Sequence, residues 1–307
     1  MKMTAPAQNV LLLILLALCW GSAFSFIKIA IGSITPITLA ATRITLAALL
    51  LTAYARLCGH PLPTSIKTWG ICAGVGFTGA VAPFYLVAWG ENYLSSSSTA
   101  ICMALVPLAT LVLAHFMTDN EKISWTKFIG ILVGFSGVFL LFGAGGETPG
   151  HDPLKAALGL AAVLAAVLGY ALSGLLAIRL KGVPRPASSA AVMISAAAMI
   201  LPLSLAFDHP WSLTPGWGAV GATVFLGIFP TALAMVMLIA LVERAGATFL
   251  SLSNYLVPVV GILLGAIWLG EKIVWQTGFA FLLICSGIYI TGRKAGPKSS
   301  APAGTAS

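Results

Sequence analysis

The stretch Thr248–Lys272 (TFLSLSNYLVPVVGILLGAIWLGEK) limits what this chain can become more than any other. It is apolar on every side, whereas a helix on the surface of a water-soluble domain keeps one polar face. Ser251, Ser253, Asn254 and Tyr255 come just before Pro258, and Gly261 and Gly265 follow. A proline removes a backbone donor and crowds the preceding turn, so helix interiors normally reject it. Inside a bilayer the break is tolerated where neighbouring helices, hydroxyls or water take up the freed groups, and Ser253 and Asn254 are suited to that role. A near-copy lies at Ser97–Lys122, with Pro107 in the place of Pro258 and Glu121-Lys122 in the place of Glu271-Lys272.

Composition fixes the class. The chain is 59% hydrophobic and 8% charged, with a mean hydropathy of +1.01. Soluble domains carry roughly 25% charged residues, so this chain reads as an all-α, multi-pass membrane protein. The net charge of +8 is spread through short loops and forms no patch, which excludes nucleic acid as a partner and points to anionic headgroups. Cys19, Cys58, Cys72, Cys102 and Cys285 are scattered through or beside apolar segments without a CxxC pair. They read as small hydrophobes, and no cofactor, metal or obligate protein partner is expected.

A spanning helix needs about 20 apolar residues. Ten such runs are expected: Val10–Ile31, Ile37–Tyr54, Trp69–Trp89, Ser95–Phe116, Phe128–Gly143, Leu158–Ile178, Ala187–Phe207, Trp217–Val242, Phe249–Leu269 and Trp275–Thr291. The first is too long for a signal peptide. Residues 295–307 read as a disordered tail. An even number of spans puts both termini on one side. Twelve basic residues then fall on that side and three (Lys28, Lys155, Lys272) on the other, with Arg43 inside a span. Lysine and arginine collect in the cytoplasm, so both termini are expected there, in a bacterial inner membrane.

The chain also repeats. Pro36 and Pro186 are 150 positions apart, as are Trp125 and Trp275, Glu121-Lys122 and Glu271-Lys272, and Ser136-Gly137 and Ser286-Gly287. Residues 10–146 and 154–292 form the expected units, after a cytoplasmic stretch at 1–9 and before a tail at 293–307. Five spans is an odd number, so the second unit must enter the membrane from the opposite side. Inverted repeats place a solute site near the midplane between the halves.

Trp20-Gly21-Ser22-Ala23-Phe24 with Lys28, Pro36 and Arg43 resembles the opening signature of the EamA-type drug/metabolite transporters. Pro107, and Pro258 with Leu269-Gly270-Glu271-Lys272 and Gly287, resemble the closing signature of each repeat. The resemblance covers Val10 to Thr291. It implies ten helices in two inverted five-helix repeats around a central cavity. The first, third, fourth, sixth, eighth and ninth helices would line it, with the fifth and tenth peripheral. It implies export of amino acids or other small metabolites, with YddG-like amino-acid exporters as one subgroup. The first repeat departs from the pattern, reading Thr118-Asp119-Asn120-Glu121 for the usual Leu-Gly-Glu, and Met193 stands at the counterpart of Arg43.

Candidate cavity residues are Trp20, Ser22, Phe26, Tyr85, Trp89, Tyr170, Ser253, Asn254 and Tyr255. Aromatic walls with a few polar tips suit a small zwitterion, although packing or interfacial anchoring accounts for such aromatics too. Asn254 is the strongest candidate, because a carboxamide in a span must find a partner. Pro83, Pro107, Pro230 and Pro258 are candidate hinges, with static kinks as the alternative. Gly70/Gly74, Gly130/Gly134 and Gly261/Gly265 read as close helix contacts. Ser95 reads as an N-cap, with Ser97 or Ser98 facing a vestibule as the minor reading. Arg43 is the charge inside a span, either a structural tie or a partner for a solute carboxylate. Lys28, Glu91, Glu243 and Arg244 lie near span ends, where they are expected to snorkel.

With no acid expected in mid-span, transport without tight ion coupling follows. An intramembrane enzyme would need a nucleophile, base or metal cluster, and neither HExxH nor a His beside a candidate Ser is present. A lipophilic-cation exporter is the alternative within transport, since aromatic faces attract cations.

Overall fold

The computed structural model describes residues 5–118, 123–143 and 152–292. All regular structure among them is helical: α1 Ala5–Ala30, α2 Pro36–Leu57, α3 Ile66–Gly90, α4 Ser96–Met117, α5 Trp125–Gly143, α6 Pro153–Leu180, α7 Arg185–Asp208, α8 Trp217–Leu250, α9 Ser253–Leu269 and α10 Trp275–Gly292. Eight of the described helices are long and apolar enough to cross a bilayer, and α5 and α9 supply the shorter apolar segments. Helices are what lipid permits, because each backbone donor there must find its acceptor within the same segment. Short connections between long helices make neighbours antiparallel. The odd-numbered helices therefore finish at one end of the bundle, called the far end below, and the chain starts at the near end.

Packing follows the repeat. α1 lies against α8 and α9, and α6 lies against α3 and α4. α2 packs on α7, and α5 on α10. Exchanging the first five helices with the last five reproduces these pairings. With five helices per unit, the two halves are inverted. Alanines make the α2–α7 contact close: Ala40, Ala41, Ala47 and Ala48 share a buried cluster with Ala190, Ala191 and Ala196. Between α5 and α10 a β-carbon on Gly130 would lie 2.8 Å from the Gly287 carbonyl, so the two backbones touch. This pair packs side by side, away from Arg43.

The expected small-residue contacts divide. Gly130, Gly134, Gly261 and Gly265 all sit where a β-carbon would collide with a neighbour. Gly70 faces open space and Gly74 makes only an ordinary contact at 3.8 Å, so that pair is not a close crossing.

Five of the described helices are interrupted or carry an interior proline. In α3 a π-helical turn at Phe77–Val81 runs into Pro83, and in α8 a π-helical segment at Gly227–Leu233 contains Pro230. α4 breaks at Ala104-Leu105, immediately before Val106 and Pro107. Pro107 thus occupies a first turn, where its missing N–H costs nothing. Pro258 differs, since it lies inside α9 and cannot donate to the Asn254 carbonyl one turn earlier. α7 carries an interruption that the motifs did not flag, with Pro202 followed by a π-helical turn at Ser204–Asp208. α8 breaks again at Gly246 (φ 83°, ψ 166°), a backbone state only glycine adopts freely. Ala247–Leu250 is therefore a short separate turn ahead of α9. Glu121-Lys122, and the loop that holds them, lie outside the described residues.

Candidate functional site

Arg43 stands at the junction of the repeats. It lies two turns into α2 and is buried, 7% exposed. Its guanidinium carbon sits 3.8 Å from the centre of the Phe84 ring on α3, and its Nε donates to Thr231 Oγ1 of α8 at 2.7 Å. Thr231 in turn donates to the Leu226 carbonyl of its own helix at 2.7 Å. Tyr170 of α6 and Glu91 lie within electrostatic reach of Arg43. Four helices from both halves thus meet at one cation. A guanidinium has five N–H donors, and one is engaged here. Among the described residues no carboxylate pairs with the other four. They form the planar fork that carboxylates and phosphates bind best.

The aromatic candidates divide into groups. Tyr85 and Trp89, four residues apart on one face of α3, are half-buried, and the Trp89 ring meets Tyr93 edge-on at 5.1 Å. Tyr170 is half-buried at the cluster that contains Phe84. Trp20 packs with Leu13, Leu16, Met237 and Leu241 between α1 and α8. Phe26 belongs to an aromatic ladder instead, stacked on Phe225 at 4.0 Å and edge-on to Trp268 at 5.4 Å. Trp268 is 52% exposed, so the ladder leads to the outside of the bundle and away from Arg43. Ser22 is buried, and its hydroxyl donates to the Cys19 carbonyl of its own helix.

On α9, Ser253 is buried, and Asn254 and Tyr255 are half-buried. The Asn254 carboxamide makes no side-chain hydrogen bond among the described residues, and Pro258 leaves its carbonyl without the usual helical donor. Tyr255 lines a cavity of about 530 Å³ with Leu282, Cys285, Ser286 and Tyr289. That cavity lies between α9 and α10, so it is not the expected central one. A smaller cavity of about 180 Å³ lies at the far end among Thr38, Thr42, Pro210, Thr223 and others. Neither gathers the predicted wall residues. What the fold brings together is Arg43, Tyr170, Phe84 and Thr231.

Two expectations about charge are overturned at the far end. Lys28 does not snorkel. Its ammonium turns inward, donating to the Leu94 carbonyl at 2.8 Å and to the Glu91 carbonyl. Glu91 does not snorkel either, being 0% exposed. Both sit where the far ends of α1, α3 and α4 converge and Gly159 of α6 packs on Gly90 and Tyr93, and burial by those neighbours is invisible to position along a span. Glu243 and Arg244 are exposed, as expected.

Two carboxylates tie the halves together at this end, and sequence reasoning missed both targets. Glu271, in the α9–α10 connection, accepts from Ser96 N at 2.7 Å and from Ser97 N at 3.0 Å, and also from Ser97 Oγ. Asp208, at the end of α7, accepts from Thr38 N and Thr38 Oγ1, both at 3.0 Å, and from Thr35 Oγ1. Each anion from the second unit meets the N-terminus of a helix in the first, where free N–H groups and the helix dipole favour negative charge. Ser97 and Ser98 are buried in this arrangement and face no vestibule. Ser95 caps α4 as expected, accepting from Ser98 N at 3.1 Å.

Two inverted five-helix units meeting at a buried cation define a ten-helix membrane carrier. Residues 8–143 and 157–293 each match the EamA-like transporter family, and the chain belongs to that family. It is similar to a probable terminal-alkyne amino-acid exporter of Streptantibioticus cattleyicolor, 29% identical over 84% of each chain. It is likewise similar to the uncharacterized inner membrane transporter YedA of Escherichia coli (strain K12), 26% identical over 91% of each chain. An uncharacterized transporter of Archaeoglobus fulgidus is 28% identical, covering 90% of this chain and 95% of its own. A solved structure titled only "Crystal structure of protein" shares the fold, with a TM-score of 0.63 at 20% identity, covering 93% of this chain and 96% of that one. The chain is therefore a multi-pass membrane transporter of a small-molecule solute and not an enzyme.

Proposed function

We propose that this transporter exports amino acids, aromatic ones included, by alternating access. The solute carboxylate meets the free fork of Arg43. Tyr170, Tyr85 and Trp89 flank it, and Asn254 offers a carboxamide and a backbone carbonyl to the ammonium. The observation that carries the reading is a buried arginine, contacted by both repeats, whose remaining donors have no acid partner among the described residues. The exporter from S. cattleyicolor supports the solute class by similarity.

Both termini are placed in the cytoplasm, with the far end outside, in a bacterial inner membrane. The repeats are assigned to residues 10–146 and 154–292. Transport proceeds without tight ion coupling. Glu91 is an interior acid that position along the chain does not reveal. It lies at one end and not between the two, so it does not form a relay across the membrane.

The test is counterflow of labelled amino acids in liposomes. Arg43→Gln is expected to lower it by about 100-fold, the worth of two charge-assisted hydrogen bonds, while Arg43→Lys retains a part. Wild-type amino-acid flux through Arg43→Gln would remove the site. A lipophilic cation is the second solute to assay, favoured by the aromatic faces at Trp89 and Tyr170 and opposed by the positive charge at the centre. Saturable cation flux with no amino-acid flux would replace the first reading by the second.

A further inference from the structure

We propose that Glu91 is a proton-binding site of the far-end closure, neutral while the two repeats are shut there and ionised once they part. The inference rests on the alternating-access reading but not on the identity of the solute.

Glu91 lies in the five-residue connection between Gly90, where α3 ends, and Ser96, where α4 begins. It is 0% exposed, and neither carboxyl oxygen has a hydrogen-bond partner among the described residues. Three charged groups act on it from the surrounding elements: Lys28 from α1, Glu271 from the α9–α10 connection and Arg43 from α2. Lys28 spends its ammonium on the backbone carbonyls of Glu91 and Leu94, not on the carboxylate. Arg43 is held against Phe84 and Thr231.

The two carboxyl groups divide the work according to their donors. Glu271 accepts two backbone N–H groups and a hydroxyl at a helix N-terminus, an environment that holds an anion. Glu91 has no donor among the described residues, is shut away from water, and feels the negative field of Glu271 against the positive fields of Lys28 and Arg43. When two acids influence each other, the one with fewer donors and less solvent keeps the proton.

Opening the far end changes this. Glu271 belongs to the second repeat and α4 to the first, so separating the halves there releases the N-terminus of α4. The connection that carries Glu91 runs directly into that N-terminus at Ser95, and water then reaches the carboxyl. The closed form binds one proton more than the open form, so falling pH favours closure and rising pH favours opening. A one-proton difference changes the closed-to-open ratio by ~10-fold per pH unit between the ionisation points of the two forms. Proton and water meet Glu91 from one side, so the acid sets how often the far end opens and carries no proton across.

Spin labels at the exposed positions Asn92 and Ile273, in a chain freed of its native cysteines and reconstituted in lipid without solute, read the gap directly. In the parent protein the short-distance population is expected to give way to a longer one as pH rises from about 5 to about 9, with the one-proton slope. Glu91→Gln copies the neutral acid and is expected to keep the short distance throughout. Glu91→Leu, uncharged as well, is expected to lose the titration in the same way. The proposal is overturned if the parent distances do not move with pH, or if Glu91→Gln titrates as the parent does. Since no solute is present, a failure here leaves the amino-acid reading standing. Absent amino-acid flux alongside a normal titration would fail that reading alone.

Discussion

The two ends of the bundle are built differently. At the far end Glu271 and Asp208 reach across from the second repeat and settle on helix N-termini of the first, and α9 lies close to the start of α4 at Gly265. At the near end α9 is preceded by the Gly246 break and by Ser251-Leu252, and its first turns carry Asn254 and Pro258. The far end is tied by directional, charge-assisted bonds, one of them from the π-helical turn that ends α7, while the near end carries the break at Gly246 and the interior Pro258. The far end is therefore held by contacts between the two repeats, while the near end can bend within a single element. Chemically alike halves have come to serve unlike ends.

Three substitutions probe that contrast. The largest effect is expected from Glu271→Gln, which weakens three hydrogen bonds at once and shifts the far end toward opening by ~2–3 kcal/mol, or about 30- to 160-fold. A cysteine at the buried position Ser98, alkylated by an impermeant reagent from the far side, reports it as a faster rate. An unchanged rate would mean the tie is incidental. Asp208→Asn is expected to act in the same direction but by ~1 kcal/mol, because the amide oxygen still accepts from Thr38 while the charge at the α2 N-terminus is lost. If it matches Glu271→Gln, the two ties act as one unit, which a double mutant would show by non-additivity. The smallest effect is expected from Pro258→Ala at the near end. It restores the N–H facing the Asn254 carbonyl, leaves far-end alkylation as it was, and changes stability by no more than ~1 kcal/mol while slowing counterflow. Faster far-end alkylation in Pro258→Ala would show that the ends are not independent.

Much of the fold was legible in the residues. Long apolar runs marked the spans, because lipid admits only segments that satisfy their own backbone, and the spacing of Pro36, Trp125 and Ser136-Gly137 against Pro186, Trp275 and Ser286-Gly287 exposed the duplication. The candidate site was legible in part. Arg43 stood out as a charge within a span. Tyr170 lies within electrostatic reach of it, whereas Phe26 stacks in a ladder with Phe225 and Trp268, and Ser22 spends its hydroxyl on its own helix. Matching prolines also misled: Pro107 starts a helix and Pro258 interrupts one, because the break falls at different distances ahead of each.

The amino-acid sequence by itself determined the number of helices, the doubling and the inversion. These follow from hydropathy, spacing and the parity of five, none of which requires knowing who touches whom. The tertiary structure alone decided what each polar group meets. It turned Lys28 inward, sealed Glu91 from water, and carried Glu271 and Asp208 to helix ends more than a hundred residues away. The physical reason is that the state of a charge within a membrane is set by burial and by donors brought in from other helices, and a linear pattern contains neither.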